Sequence, residues 1–255
     1  MTELRIATYN VRVDTEEDGR WSWNYRQPYV SDVLNYYQWD ILGLQELLPN
    51  QYQDSQLANY HAIYAERDGD GLGEGLAIYY QQAIFEQIET GHFWLSDTPD
   101  RPSIHPEAGC RRLAVWGLLY HRESQKTFLV INTHLDHVSS TARKAGVSVL
   151  LTQLAKKIDK YPTILLGDFN GELDEALHDE LKKRFTYPPE VGDQRRYGPK
   201  GTFQGFNYEI AWQELEQIDF ILLKNIDCLT YATLTDSCDR RFPSDHFPVV
   251  AKIKL

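Results

Sequence analysis

The sequence predicts an α/β fold in which two packed β-sheets carry helices on their outer faces. Three observations predict it: short apolar segments recur along the 255 residues, helical patterning is confined to a few intervals, and several apolar segments end abruptly in a polar residue. So many strands imply two sheets packed face to face. Helices with a single apolar face then cover the outside of each sheet.

Eleven segments have the length and apolar content of strands. They are Leu4 to Tyr9, Ile41 to Gln45, His61 to Ala65, Leu76 to Tyr80, Phe85 to Leu95, Leu113 to His121, Phe128 to Asn132, Thr163 to Leu166, Ile218 to Leu223, Leu229 to Leu234 and Phe247 to Ile253.

Helical periodicity is clearest from Ser139 to Lys160, where apolar residues recur at helical spacing and Ser139 or Ser140 can cap the start. A second helix is predicted to follow Pro28, because proline favours the first turn. Shorter helices are predicted over Pro49 to Asn59 and Glu175 to Lys183.

No repeat or linker divides the chain, so residues 1–255 are expected to form a single domain. The least regular stretch, Phe185 to Phe206, is rich in proline and glycine. It is predicted to be a loop, either a surface excursion or a lid over the substrate.

The composition favours a protein that is not embedded in a membrane. Hydrophobic residues make up 42% of the chain, but no apolar window is long enough to span a bilayer, so we expect a cytoplasmic protein without integral membrane association. The three cysteines have no paired spacing, which argues against a disulfide framework and against a cysteine zinc site.

The net charge of −11 disfavours nucleic acid as the partner, because affinity for long polyanions comes mostly from lysine and arginine. Clustered acids do suit a divalent cation. A few local cations can still capture one small phosphate, so a metal-dependent enzyme remains open.

Five apolar segments each end in, or are adjacent to, a polar side chain, which the packing of a buried strand does not require. We expect these side chains to meet at one reaction centre. They are Asn10, Glu46, His134, the pair Asp168 and Asn170, and the pair Asp245 and His246.

The acids and amides of this set suit Mg²⁺, which one or two carboxylates typically hold together with water and substrate phosphate, and Mn²⁺ accepts the same ligands. Glu46 is the leading direct ligand, and the amide of Asn10 supports the same ion or the phosphate. Taken alone, each is more simply explained as a hydrogen-bonding residue at a strand end.

Asp168 and Asn170 suit the activation of water. The carboxylate can take a proton from an attacking water while the amide fixes that water near the phosphorus. The alternative is an Asp-Phe-Asn-Gly turn, because Asx residues and Gly171 favour turns.

The imidazole of His246 can act as a general base or, when protonated, stabilise charge on a pentavalent phosphate. Asp219 is a carboxylate within an apolar strand, so it needs a partner. We predict that it accepts a hydrogen bond from His246 and raises the basicity of that ring.

His134 can donate to a non-bridging phosphate oxygen, and Glu74 is a candidate to orient it. Arg112 heads a strand and can pair with substrate phosphate. The alternatives are a structural histidine and a solvated arginine.

With these residues the chain resembles the endonuclease/exonuclease/phosphatase superfamily, which includes type I deoxyribonucleases, abasic-site endonucleases, inositol polyphosphate 5-phosphatases, neutral sphingomyelinases and deadenylases. Six motifs occur in the family's order: Thr8-Tyr9-Asn10, Leu44-Gln45-Glu46, Asn132-Thr133-His134, Gly167-Asp168-Phe169-Asn170, Ile218-Asp219-Phe220 and Ser244-Asp245-His246.

The resemblance implies a four-layer α/β/β/α sandwich of two mostly antiparallel sheets flanked by helices, with the site at one mouth between the sheets. It implies Glu46 as the principal Mg²⁺ ligand, with Asn10 and Asp245 beside the metal. The catalytic residues it implies are Asp168, Asn170, His246, Asp219 and His134. The phosphate-binding residues are Asn10, His134, Arg112 and Asn170, supported by Glu74 and Asp136.

Three segments resemble a largely uncharacterised bacterial branch of that superfamily: Phe93 to Pro99, Asn132 to His137 and Gly201 to Phe203. The resemblance does not imply a substrate. The chain has no evident basic helix for gripping a duplex, which argues against DNA.

We therefore expect a Mg²⁺-dependent phosphoester hydrolase, with Mn²⁺ as an alternative ion, in which water attacks the phosphate in line. The expected substrate is a small phosphorylated metabolite, sugar or lipid headgroup. The alternatives are a metal-dependent endonuclease or exonuclease on DNA or RNA, and a catalytically silent phosphate-binding scaffold.

Overall fold

The computed structural model describes residues 2–188 and 195–255. Its strands are β1 (Glu3–Asn10), β2 (Ile41–Leu47), β3 (Tyr60–Glu66), β4 (Gly75–Gln81), β5 (Phe85–Trp94), β6 (Leu113–His121), β7 (Lys126–His134), β8 (Thr163–Asp168), β9 (Arg195–Tyr197), β10 (Asp219–Lys224), β11 (Asp227–Thr233) and β12 (Val249–Lys254). Its helices are α1 (Trp23–Tyr37), α2 (Pro49–Asp54), α3 (Ser140–Gln153), α4 (Ala155–Lys160) and α5 (Ala176–Lys182), with a 3-10 helix over Glu16–Trp21.

The strands form two sheets, one of seven strands in the order β3-β4-β2-β1-β12-β11-β9 and one of five in the order β10-β8-β7-β6-β5. Most neighbours are antiparallel, and the parallel pairs are β1 with β2, β7 with β8 and β9 with β11. The four-layer sandwich expected from the sequence is confirmed.

Three apolar clusters hold the layers together. One lies between the sheets, one between the five-stranded sheet and the helices α3 to α5, and one between the seven-stranded sheet and α1. Strand alternation sorts the side chains of β1 between them: Leu4 and Ile6 face the other sheet, whereas Ala7 and Tyr9 face the helical layer. Among the described residues, no helix combines the length and the apolar character that crossing a membrane would require.

All eleven predicted strands are present, with ends within two residues of the prediction. Strand β9 was not predicted, because a three-residue edge strand paired with β11 through its main chain needs no apolar pattern. It falls within the predicted loop Phe185 to Phe206. Residues 189–194 of that loop lie outside the described residues, so the choice between surface excursion and lid stays a prediction.

The helix boundaries differ more from prediction. Helix α1 begins at Trp23 rather than after Pro28, because Trp23 is buried and its indole Nε1 donates to Asp54 Oδ2 at 2.8 Å. Helix α2 ends at Asp54 instead of Asn59. The predicted long helix divides into α3 and α4 at Leu154, which has φ −103° and ψ 8°.

A β-bulge in β2 sets the direction of the Glu46 side chain. Gly43 and Gln45 face Asn132 of the opposite sheet, because a Cβ atom at Gly43 would lie 3.1 Å from Asn132 Cγ and Gln45 Nε2 donates to Asn132 Oδ1. A regular strand would therefore point Glu46 outward, toward the helices. The pairing of β2 with β4 instead shifts after Leu44, and Glu46 has φ +64°. Because a bulge re-aims a side chain, Glu46 enters the cleft between the sheets.

The side chain of Asn132 joins the two sheets at this bulge. Its Nδ2 donates to the carbonyls of Leu44 and Ala77, each at 2.9 Å, and its Oδ1 accepts from Gln45 Nε2 at 2.8 Å. Leu44 and Ala77 form the last regular pair of β2 and β4 before the bulge. One buried amide on β7 therefore satisfies main-chain groups of both strands at the point where Glu46 turns inward.

We expect Asn132→Leu to lower the free energy of unfolding by roughly 2–4 kcal/mol, because two buried carbonyls and one amide group lose a partner. Urea denaturation measures the change. The control is Asn35→Leu, at an exposed position of α1, where we expect a change within about 0.5 kcal/mol. Equal effects of both substitutions would contradict the role assigned to Asn132.

Candidate active site

Strand alternation brings polar side chains from both sheets to one mouth of the sandwich. In β1, β7 and β8 the inward-facing apolar residues are followed in the same register by Asn10, His134 and Asp168. These side chains reach a cleft of about 540 Å³ or the hydrogen-bond network at its base. That volume suits a small molecule.

The amide of Asn10 links the two predicted carboxylates. Its Nδ2 donates to Glu46 Oε1 at 2.8 Å and to Asp168 Oδ2 at 2.9 Å, and its Oδ1 accepts from the main chain of Arg12 at 2.9 Å. Burial opposes ionisation of Glu46, but His246 and the hydrogen bond from Asn10 outweigh it and lower the pKa of Glu46. The carboxylate therefore stays ionised, as a metal ligand must be.

Gly167 allows β7 and β8 to approach closely beside these groups. It has φ +146°, and a Cβ atom there would lie 1.9 Å from the carbonyl oxygen of Thr133. No other residue fits between the strands without moving them. The glycine of the Gly167-Asp168-Phe169-Asn170 motif thus keeps His134 and Asp168 adjacent, in register as partners.

Asp168 lies at the centre of the site. Its Oδ2 is 3.4 Å from His134 Nε2 and 3.8 Å from His246 Nε2, and its Oδ1 accepts from the main chain of Asn170 at 2.9 Å. Burial and the nearby carboxylate of Asp219 raise the pKa of Asp168 to about 7. A group with that pKa can exchange a proton near neutrality.

The contact predicted between Asp219 and His246 is present, with 2.9 Å between Asp219 Oδ2 and His246 Nδ1. Thr202 Oγ1 accepts from the main chain of Asp219 at 3.1 Å, which fixes the end of β10. Burial disfavours the imidazolium, but Asp219 and Asp168 outweigh it and hold the pKa of His246 well above its ordinary value. His246 is therefore protonated where it contacts Asp219.

The two histidines of the site differ in charge. Burial, followed by the positive groups of Arg112 and His246, holds the pKa of His134 well below its ordinary value. His134 is thus neutral, whereas His246 carries a proton on each ring nitrogen. One site therefore offers a neutral and a charged imidazole, at 3.4 and 3.8 Å from Asp168 Oδ2.

Asp245 lies on the seven-stranded side of the cleft, beside Arg12. Its Oδ2 is 3.8 Å from Arg12 Nε, and the preceding Ser244 Oγ donates to the main-chain carbonyl of Asn10 at 2.7 Å. Arg12 also binds both oxygens of Asp18, at 2.8 and 2.9 Å. The link from Ser244 keeps the predicted metal-side residues Asn10 and Asp245 together.

Arg112 is 8% exposed and lines the cleft, and its Nη2 lies 3.1 Å from His137 Nδ1. Among residues 2–188 and 195–255, no carboxylate lies within ion-pair distance of this guanidinium. A buried cation without an anionic partner is costly. Arg112 is therefore suited to an anion that enters the cleft.

The contact predicted between Glu74 and His134 is absent from the part of the chain that the structure describes. Both oxygens of Glu74 instead bind the guanidinium of Arg67, at 2.7 and 2.6 Å. Strand propensity could not reveal this partner, because Arg67 lies across the β3–β4 turn. Glu74 does line the cleft, so a supporting role stays a prediction.

Asn170 and Asp136 occupy the loops that follow β8 and β7. Asn170 lines the cleft with φ +48°, and its Nδ2 donates to the carbonyl of Leu135 at 3.0 Å. Asp136 accepts hydrogen bonds from three main-chain amides, so its carboxylate stabilises the loops and does not contact the predicted catalytic residues. The two interpretations of Asp168 to Gly171, a turn and a functional site, are therefore compatible, because Asn170 has a turn conformation and also lines the cleft.

Sequence reasoning missed Arg12 and gave no role to Asn132. Arg12 follows Asn10 by two residues, so alternation could have placed it on the same face. A polar residue among the inward apolar positions of β7 was a comparable signal for Asn132. Arg26 had none, because its guanidinium binds the main-chain carbonyls of Trp21, Val11, Arg12 and Pro243, which only the tertiary structure brings together.

The charges of the site fit a divalent cation. Its buried or half-buried carboxylates outnumber its cations by five to four. The carboxylates are Glu46, Glu74, Asp168, Asp219 and Asp245, and the cations are Arg12, Arg67, Arg112 and His246. A cation at Glu46 would relieve the surplus, and the oxygen and amide groups there are of the kind that Mg²⁺ and Mn²⁺ prefer.

Comparison with known proteins identifies similar chains of the same length. The sequence model described as the endonuclease/exonuclease/phosphatase family matches residues 7–246. A functionally unknown conserved protein from Enterococcus faecalis V583 is 49% identical with a TM-score of 0.95, and the match covers 98% of this chain and 99% of that one. A mannosyl-6-phosphatase of Bacteroides thetaiotaomicron VPI-5482 is 32% identical with a TM-score of 0.90, over 99% and 100% of the two chains.

A curated relative is longer. The CCR4-Not complex 3'-5'-exoribonuclease subunit Ccr4 of Candida albicans is 26% identical over 91% of this chain, but the match covers 38% of that protein. This chain thus spans well under half the length of that relative.

We expect Mg²⁺ to raise the melting temperature, because it neutralises the surplus carboxylates of the folded state only. At a Mg²⁺ concentration about 100 times its Kd, the free energy of unfolding should rise by about 2.7 kcal/mol. Glu46→Gln should lose most of it, whereas Glu86→Gln, the same change in an exposed ion pair on β5, should keep it. An unchanged Mg²⁺ effect in Glu46→Gln would contradict this site.

Proposed function

This chain belongs to the endonuclease/exonuclease/phosphatase family, and we propose that it is a Mg²⁺-dependent phosphatase of small phosphorylated substrates, with sugar phosphates as the substrate class. The observation that carries the proposal is the meeting of five separate segments in one small cleft. Four of these segments line the cleft with Glu46, His134, Asp168 and His246, and Asn10 of the fifth binds Glu46 and Asp168 at its base.

Asp168 is proposed to receive the proton of the attacking water, with Asn170 positioning that water. A pKa of about 7 makes the Asp168 carboxylate a proton acceptor near neutral pH. The hydrogen bond from Asn10 Nδ2 to Asp168 Oδ2 fixes the orientation of the Asp168 carboxylate, so the proton acceptor is in position before the substrate enters.

The phosphoryl group is proposed to lie between Arg112, His134 and His246. The protonated ring of His246, held by Asp219, can donate from Nε2 to a phosphoryl oxygen as negative charge builds up. Arg112 supplies a planar donor for the same group. When bound near Glu46, Asn10 and Asp245, the metal ion supplies further neutralisation of phosphate charge.

Two observations support a small substrate. The cleft of about 540 Å³ suits a molecule rather than a duplex, and the net charge of −11 weakens attraction for long polyanions. The similarity to a mannosyl-6-phosphatase over nearly the whole of both chains supports a phosphorylated sugar.

A nuclease is the second candidate, because a 3'-5'-exoribonuclease subunit is among the relatives. That activity would release nucleotides from single strands and would weaken steeply with salt. A silent binding scaffold is the third, although the side chains expected for hydrolysis line the cleft or, like Asn10 and Asp219, hydrogen-bond to residues that do.

The decisive experiment is phosphate release from sugar phosphates, nucleotides and short oligonucleotides, with Mg²⁺ or Mn²⁺. We expect turnover of sugar phosphates that a chelator abolishes and Mg²⁺ restores. Glu46→Gln should lower kcat at least about 100-fold, and Glu86→Gln should retain it. Preferential cleavage of oligonucleotides would favour the nuclease, and no turnover of any substrate would favour the scaffold.

We expect Asp219→Asn to lower kcat at least about 100-fold, because a neutral amide no longer holds the pKa of His246 high, so the ring loses the proton that it donates to the phosphoryl oxygen. KM and the free energy of unfolding should change little, the latter by less than about 1.5 kcal/mol. Steady-state kinetics and urea denaturation measure both effects. Asp227→Asn, at an exposed position of β11, is the matched control. Wild-type kcat in Asp219→Asn would refute the pairing.

A further inference from the structure

A second group of metal-binding side chains lies at the edge of the cleft. Cys110 comes from the loop before β6, and Asp136 and His137 come from the loop after β7. The thiol, a carboxylate oxygen and a ring nitrogen lie within 4.8 Å of one another. We propose that these three residues bind a thiophilic divalent cation such as Zn²⁺, at a site separate from that around Glu46.

The donor types distinguish the two sites. Oxygen ligands such as those near Glu46 suit Mg²⁺, whereas sulfur and imidazole nitrogen select Zn²⁺ and similar ions. Three protein ligands leave one tetrahedral position for water. The cysteine spacing argues against a site of several cysteines, and only Cys110 contributes here, with ligands from another loop.

Asp136 is held ready as a ligand. Its Oδ1 accepts from the main chain of Val138 at 3.0 Å and of Ser139 at 2.8 Å, and its Oδ2 accepts from Gly109 at 2.9 Å. Burial opposes ionisation, but these hydrogen bonds lower the pKa of Asp136. The bond from Gly109 also anchors the loop of Cys110 against the carboxylate.

The two loops pack closely at Gly109. A Cβ atom there would lie 2.6 Å from Val138 Cγ2 and 3.0 Å from His137 Cε1. This approach brings the neighbouring thiol of Cys110 beside His137. Asp136 is 3% exposed, so the carboxylate is shielded from water, as the supporting oxygen ligand of a bound ion should be.

His137 offers a lone pair at Nδ1. Arg112 Nη2 lies 3.1 Å from this atom, and because a guanidinium only donates, Nδ1 is the acceptor of that hydrogen bond. Zinc bonds of about 2.0–2.3 Å separate tetrahedral ligand atoms by roughly 3.3–3.8 Å. The three donor atoms lie within 4.8 Å of one another, and the exposed ring of His137 is the one free to turn toward the other two. The ion then takes the lone pair that Arg112 uses.

Cobalt(II) is the probe for the test, because it replaces Zn²⁺ and gives a sulfur-to-cobalt charge-transfer band when a thiolate binds. Reduced, metal-free protein should develop this band with one Co²⁺ per chain and lose it when Zn²⁺ is added. Cys110→Ala should not develop it. Removing one ligand in His137→Gln should weaken Co²⁺ binding at least about tenfold.

Two controls separate this site from other cobalt binding. Cys238→Ser, at an exposed thiol elsewhere, and Glu46→Gln should both keep the band. Cys110→Ser, which preserves side-chain size, replaces Cys110→Ala if that variant does not fold by circular dichroism. Absence of the band in the native protein, its persistence without Cys110, or its loss in Glu46→Gln would each overturn the proposal.

Discussion

The β2 bulge is the constraint on which the candidate site depends. Without it, strand alternation would point Glu46 away from the cleft, toward the helical layer. The left-handed backbone conformation of Glu46 costs of order 1–3 kcal/mol of folding free energy, so interactions with the surrounding structure must offset that cost. Asn132 does so from the opposite sheet, because its amide satisfies carbonyls of both β2 and β4. The direction of a carboxylate on one sheet is thus set by an amide on the other.

Electrostatics give this geometry its chemical character. Burial alone would neutralise most of the carboxylates, as the raised pKa of Asp168 illustrates. Against burial, Asp219 and Asp168 raise the pKa of His246, and His246 together with the hydrogen bonds from Asn10 and Val13 lowers the pKa of Glu46. The site therefore places residues of the same type in different protonation states close together, as with neutral His134 and protonated His246. A bound cation would balance the remaining negative charge.

Much of this could be predicted from the sequence, because period-two alternation governs β1, β7 and β8. The positions of Asn10, His134 and Asp168 follow that alternation. The apolar patterning likewise predicted the two sheets and eleven of the strands. Glu46 reached the same site by breaking the rule, so its position rested on the motif and not on the period. The pairing of Glu74 with Arg67 and the division of the long helix depend on tertiary contacts that no local pattern carries.

The cleft has a floor of strand ends and walls of connecting loops. Residues 109, 110, 112, 137, 203 and 216 form parts of the walls, and none of them lies within a strand of the central sandwich. Loops tolerate insertion and exchange far better than paired strands do. Evolution can therefore alter which leaving group is accepted while the hydrolytic apparatus stays intact, so relatives with this framework can diversify in the molecules they process.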